Sequence, residues 1–309
     1  MNNTKNFSLL KLLRYSLFQG CLGCLAVIFA GMLNRVMISE LEFPALLVGG
    51  GLAFEQLMAP SRVFFGNISD RWPIKGKKRT PYILLGSLGF CTMAIVSVPF
   101  IFITEKALSN GELLPIVFCS IGLCVLFSLY GLAVSMATTP YLALVIDLTT
   151  EEKRPQAVGI IWCMLTIGIV IGAISISIAT KGLDGVTDPI VLEMVLSRFM
   201  VWVSGIVFCI TIFACWNIEP KQIKDSSNHN SNQNKEIGLK KSLEIITSSR
   251  QIKIFFTFLI LYTLGLFLQD PILESYGAEV FDLPISETTL LNAYWGVGTL
   301  IGLLIGGLW

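Results

Sequence analysis

Apolar residues in this chain run on in eight long stretches, at 16–38, 44–68, 81–103, 113–138, 156–179, 197–217, 251–269 and 288–309. A helix of about 20 apolar residues matches a hydrocarbon core of about 30 Å. Each stretch therefore predicts a membrane-spanning helix, and together they predict an all-α polytopic membrane protein. The first stretch is not a cleaved signal peptide. It is too long, it lacks a small-residue cleavage site, and a second span follows at once.

The polar segments between the stretches are short, with one exception. Residues 218–250 open with Glu219 and Pro220 and continue rich in Asn, Ser and Lys. Such a composition cannot bury a core, so a mobile linker is expected at least through Lys235. Leu239 to Ser248 is expected to form an amphipathic helix on the inner surface. The organisation is then a six-helix N-terminal half over 1–217, a cytoplasmic linker over 218–250, and a partial C-terminal half over 251–309. Six spans, a long linker and further spans are the layout of transporters built from two six-helix halves. Twelve spans are expected of that layout, and this chain stops at Leu308 and Trp309, in or just at the end of the eighth. The expectation is a fragment or a truncated product.

Composition agrees with the bilayer. The chain is 54% hydrophobic and 14% charged, with a mean hydropathy of +0.73. Soluble domains carry roughly twice that charge fraction. The net charge of +1 says nothing about partners, but its distribution does. If the N-terminus is cytoplasmic, 17 of the 22 Lys and Arg residues fall in cytoplasmic segments. Lys106, Lys181 and Arg198 fall outside, and Arg35 and Arg62 lie within spans. This follows the positive-inside rule. All eight cysteines lie within spans. Cys21 and Cys24 form a C-x-x-C on an apolar helix, where small buried residues are the better reading than redox or zinc chemistry. The chain shows no P-loop, metal-ligand cluster or nucleophile–base motif, which argues against an ATP-driven pump or an enzyme. Nothing in it points to nucleic acid.

The charges inside the spans are the first candidate site, since an intramembrane charge is expensive unless paired and usually faces the bundle interior. Asn34 and Arg35 close the first span, and Gln269 and Asp270 close the seventh. The two helices are equivalent in a two-half bundle, so an amide followed by a charge recurs at one depth with opposite signs. Arg35 and Asp270 are expected to pair across the halves; otherwise Arg35 snorkels outward and Asp270 is a loop residue. Glu55 lies about 16 Å along the second span from Pro44, near the bilayer centre. Gln56 adjoins it, and Arg62, seven residues on, is expected on the same helix face about 10 Å deeper toward the cytoplasm. Glu55 is either a coupling carboxylate, an oxygen ligand to a pigment's metal, or a structural polar bridge. Gly49, Gly50, Gly51, Gly168 and Gly172 are expected to permit close helix approach.

After the second span comes a polar loop containing Gly66, Asp70, Arg71, Lys75, Gly76, Lys77, Lys78 and Arg79, running into Pro81 and Tyr82. Asp70 at a helix C-terminus opposes the dipole and needs a cationic partner, which Arg71 and the 75–79 cluster can supply. The basic cluster also attracts anionic lipid. A second acidic and basic group, Asp147 through Arg154, follows the fourth span. Both read as gates or struts of a rocking bundle, or as ordinary solvated charge. The Gly-x-x-x-Asp-Arg turn followed by Gly and basic residues resembles the loop between helices two and three of the major facilitator superfamily.

Further segments sharpen that likeness. Leu33 to Met37 with Glu40, Leu41, Pro44 and Ala45, then Ala59 to Arg62, then Gln269 to Glu274 with Tyr276 and Gly277, resemble the bacteriochlorophyll delivery (PucC/LhaA-like) family. The likeness covers nearly the whole chain. Ser275 and Ala278 stand near positions where Pro and Gly are expected, and the last third of the family's length is missing. The resemblance implies a factor for light-harvesting or photosystem assembly in the photosynthetic or inner membrane of a phototrophic bacterium. It would deliver or chaperone (bacterio)chlorophyll, held transiently and not as a tight cofactor. The only histidine, His229, is in the linker. Magnesium prefers oxygen, so Glu55, Asn34, Gln56, Gln269, a backbone carbonyl or water would have to ligate it; Glu274 is a further substrate, pigment or coupling candidate. Trp162, Trp202, Trp216 and Trp295 could stack on a macrocycle, but packing or interface placement is the preferred reading. A proton- or cation-coupled transporter of a small solute, and a non-functional fragment, are the alternatives.

Overall fold

The computed structural model describes residues 9–74, 76–183, 188–219, 249–268 and 270–308. They form an all-α, multi-pass membrane bundle. Its helices are α1 (Leu9–Glu40), α2 (Ala45–Leu57), α3 (Ser61–Arg71), α4 (Thr80–Asn110), α5 (Leu113–Leu148), α6 (Arg154–Thr180), α7 (Pro189–Cys215), α8 (Arg250–Phe267), α9 (Asp270–Phe281) and α10 (Ile285–Leu308). Among the described residues, α1, α4, α5, α7 and the Glu151–Thr180 helix that contains α6 are long and apolar enough to cross a membrane. Most of the linker expected over 218–250, including Leu239 to Ser248 and His229, lies outside the described residues. So do Lys75 and Gln269.

Two departures from uniform spans matter for function. The second stretch is not one helix. It breaks at Met58, Ala59 and Pro60, between α2 and α3. Proline has no N–H to return to a preceding carbonyl, and the local bonds tighten to three-residue spacing, with Met58 N–H donating to Glu55 O and Ala59 N–H to Gln56 O. The second departure is in α1. Val27–Met32 and Val36–Glu40 are wound as π-helix on either side of Leu33–Arg35. Such winding is rare and recurs at functional sites.

Helix α1 is the centre of the packing, against α6 and α7, while α4 packs on α5 and α7, and α10 on α6. Small residues set the closest approach. A β-carbon on Gly168 would run into the backbone of Gly20, and one on Gly172 into the backbone of Cys24. Both glycines do what the sequence predicts. Gly51 sits against Phe127, but Gly49 and Gly50 have nothing within 4 Å of where a β-carbon would stand, so those two hold no helix close. Aromatic rings fill the remaining core. Phe29 stacks on Tyr130 with centroids 3.9 Å apart, and Tyr15 on Tyr141 at 4.4 Å. All eight cysteines are free thiols. Trp162, Trp202 and Trp216 are exposed, on the outer surface rather than within the core.

Candidate functional site

The π-wound part of α1 faces a polar cluster contributed by the other end of the chain. Arg35 is buried, with 3% of its side chain exposed. Its Nη1 donates to Glu40 Oε1 at 2.7 Å and its Nη2 to the backbone oxygen of Leu283, between α9 and α10, at 2.9 Å. Snorkelling to the outer headgroups is therefore not what Arg35 does. It does tie residues before the linker to residues after it, through a carbonyl. The side chain of Asp270, its expected partner, lies outside the described residues. Asn34 is buried beside it.

Glu274, on α9, reaches the same place. Its carboxyl is 1% exposed. Asn292 Nδ2, from α10, donates to Glu274 Oε1. The carboxyl lies on the backbone of α1 at Gly31, where a β-carbon would collide with Oε1. Glu274 Oε2 has no hydrogen-bond partner among the described residues, and neither has the Oγ of the adjoining Ser275. The structure thus brings Asn34, Arg35 and Glu274 together. It adds Glu40 and Asn292, which sequence reasoning did not single out. Glu40 was visible as an acid five residues after Arg35; Asn292 gave no local signal.

Glu55 lies two residues before the end of α2, half-buried, and Gln56 beside it is exposed. The Glu55 carbonyl packs against Gly131 of α5. The break at Met58–Pro60 interrupts the register on which Arg62 was placed below Glu55. Arg62 opens α3, exposed and without an ion pair among the described residues. Glu55 and Arg62 therefore do not form one stripe.

The basic loop forms a separate constellation. Asp70 was expected to find its cation in Arg71 and the 75–79 cluster, and Asp147 through Arg154 to form a second acidic and basic group. Arg79, from that cluster, serves both Asp70 and Asp147. Its Nη2 is 2.6 Å from Asp70 Oδ1 and its Nε 3.4 Å from Asp147 Oδ2, joining α3 to α5. Its Nη1 also donates to Ser69 Oγ at 3.0 Å. Arg154 pairs with Glu151, three residues earlier, at 3.5 Å. Gly76 turns the loop at φ +76°, and Gly66 packs in ordinary contact with Thr139. Glu219, past the end of α7, was missed as a site. Its carboxylate accepts from the N–H groups of Lys78, Arg79 and Thr80 and from the Thr80 hydroxyl, at 2.6–3.1 Å. It caps the otherwise unbonded N-terminus of α4.

Residues 32–309 match the family described as PUCC protein. The chain belongs to the PUCC family. It is 33% identical over 298 residues to Protein PucC of Cereibacter sphaeroides, covering 94% of this chain and 61% of that protein. A protein of the puhA-bchM intergenic region of Rhodobacter capsulatus, itself uncharacterized, is 29% identical over 97% of this chain and 60% of its own length. The bacteriochlorophyll synthase 44.5 kDa chain of the same species is 29% identical, over 97% and 64%. The chain thus spans under two thirds of the length of these relatives. Membership of the PUCC family agrees with the likeness read from the Asn34–Met37 and Gln269–Glu274 segments.

Proposed function

We propose that this chain is a non-enzymatic membrane factor for light-harvesting or photosynthetic complex assembly, delivering or chaperoning (bacterio)chlorophyll. Match to the PUCC family over residues 32–309 carries this reading, and the bacteriochlorophyll in one relative's name supports it. The bundle is taken as a six-helix half over 1–217, a linker over 218–250 and part of a second half over 251–309. The N-terminus would be cytoplasmic, in the photosynthetic or inner membrane, with pigment and complex polypeptides as partners.

The donor atoms fit a magnesium pigment in kind, being oxygens. Glu55 fits in position, half-buried beside a helix break, and Gln56 is exposed next to it. Glu274 does not, because its carboxyl is enclosed. The bound pigment would supply light absorption and a Lewis-acidic magnesium. Glu55 would ligate that magnesium and Gln56 would offer a further polar contact. The Arg79 bridge would fix α3 against α5 while cargo is held.

The test is an absorbance spectrum of the protein purified in mild detergent from a pigment-producing host. A stoichiometric tetrapyrrole band lost in Glu55→Ala is expected. A band that survives keeps the carrier and removes Glu55 as ligand; a colourless folded protein sinks pigment carriage. A second reading, a proton- or cation-coupled transporter, is favoured by Glu274 Oε2, which has no hydrogen-bond partner among the described residues, at the junction of α1, α9 and α10. It predicts pH-dependent uptake in vesicles that Glu274→Gln abolishes.

A further inference from the structure

A cavity of about 380 Å³ opens between the basic loop and the adjoining ends of α4 and α7. Lys77, Thr80 and Asn217 form its polar end; Leu84, Ile212 and Trp216 form its apolar wall. It lies where the apolar helices give way to the loop, on the side that carries most of the Lys and Arg. That is headgroup depth. The Trp216 side chain is exposed there, as tryptophans at a membrane interface are.

The position of Lys77 is built. Ile74 and Lys77 exchange backbone hydrogen bonds of 2.9 and 3.1 Å across the Gly76 turn. Its charge is also left over. The nearby acids are already engaged: Glu219 by the N-terminus of α4, Asp70 and Asp147 by Arg79. Among the described residues Lys77 enters no ion pair. A second cation backs the site, since Arg14 Nη2 donates to the Trp216 carbonyl at 2.6 Å. An uncompensated ammonium above an apolar wall at headgroup depth is complementary to a phosphate esterified to acyl chains.

We propose that this cavity binds one anionic phospholipid, its phosphate on Lys77 and Asn217 and an acyl chain along Leu84, Ile212 and Trp216. Inorganic phosphate shares the headgroup chemistry but leaves the apolar wall unused. The proposal does not depend on pigment carriage.

The experiment is native mass spectrometry of the full chain after reconstitution with phosphatidylglycerol or phosphatidylcholine. One retained phosphatidylglycerol per chain is expected, with phosphatidylcholine lost. A delocalised basic surface gives about fivefold per cation, equally for Lys77→Gln and Lys78→Gln. The site instead predicts a loss of about tenfold or more for Lys77→Gln alone, recovery in Lys77→Arg, and weakened retention in Ile212→Trp, which fills the apolar wall. Equal losses in Lys77→Gln and Lys78→Gln overturn the site. So does full displacement of phosphatidylglycerol by millimolar inorganic phosphate, or an unchanged Ile212→Trp. If Lys77→Gln fails to fold, the Ile212→Trp and Lys78→Gln pair still decides.

Discussion

Glu219 serves four donors clustered in residues 78–80, some 140 positions earlier in the chain. Removing an acceptor from buried donors costs about 1–3 kcal/mol, more than the net value of the bonds themselves. Glu219→Ala should therefore lower the thermal midpoint of the detergent-solubilised protein clearly. Glu219→Gln, which keeps one carbonyl oxygen, should fall between; an Ala variant as stable as the wild type would remove the capping role. The Arg79 pairs answer to a different scale. Asp70 and Asp147 are more than half exposed, while Arg79 is 11% exposed. Exposed acids in ion pairs contribute about 0–1 kcal/mol, screened by salt. Asp70→Asn and Asp147→Asn should each have small effects that vanish at high ionic strength. Arg79→Gln should destabilise more, because Ser69 and both acids lose one shared partner; equal effects of all three would contradict the bridge.

At the scale of the helix, glycines that look alike in sequence behave differently. Gly168 meets the backbone of Gly20, which cannot move aside as a side chain can. Gly168→Ala should destabilise by about 1–3 kcal/mol through overpacking. Gly49 meets nothing within 4 Å, and Gly49→Ala should be neutral or gain up to about 1 kcal/mol of helix propensity. The two thermal midpoints, measured side by side, test whether contact or propensity governs. The same contrast explains what could be read in advance. The first, third, fourth, fifth and sixth stretches were legible as spans because a bilayer imposes a length on an apolar run. The break after Glu55 was half legible, since Pro60 was in plain sight but a proline can also sit in a kinked, continuous helix. The π-winding around Arg35 was not legible, because Val27–Glu40 reads in sequence as more of the same apolar helix. Sharing of Arg79 between Asp70 and Asp147 was hidden because charge signs show in sequence and pairings are made by the fold.

At the scale of the molecule, the polar cluster joins the segments on either side of the 220–248 stretch. Apolar packing of α6 on α10 holds them by surface alone, which is non-directional. The Arg35, Glu40, Glu274 and Asn292 contacts add direction. Arg35 pairs with Glu40 there and Glu274 lies on the same part of α1 at Gly31, so any coupling between them should be readable in a double-mutant cycle. Arg35→Gln leaves Glu40 without its cation and should cost about 3–5 kcal/mol, the usual penalty for breaking a buried pair from one side. Glu274→Gln keeps an acceptor for Asn292, so alone it should change stability little. In the Arg35→Gln background the same change should restore about 0.5–3 kcal/mol, the range of coupling between groups in one network. Unfolding midpoints in a mild detergent with added denaturant measure the cycle. Strict additivity would mean that Glu40 alone neutralises Arg35, and that Glu274 answers to Asn292 and to whatever meets its second oxygen. Coupling would mean that the two segments read each other's charge, so that a proton or ligand arriving at Glu274 is felt at Arg35 on α1.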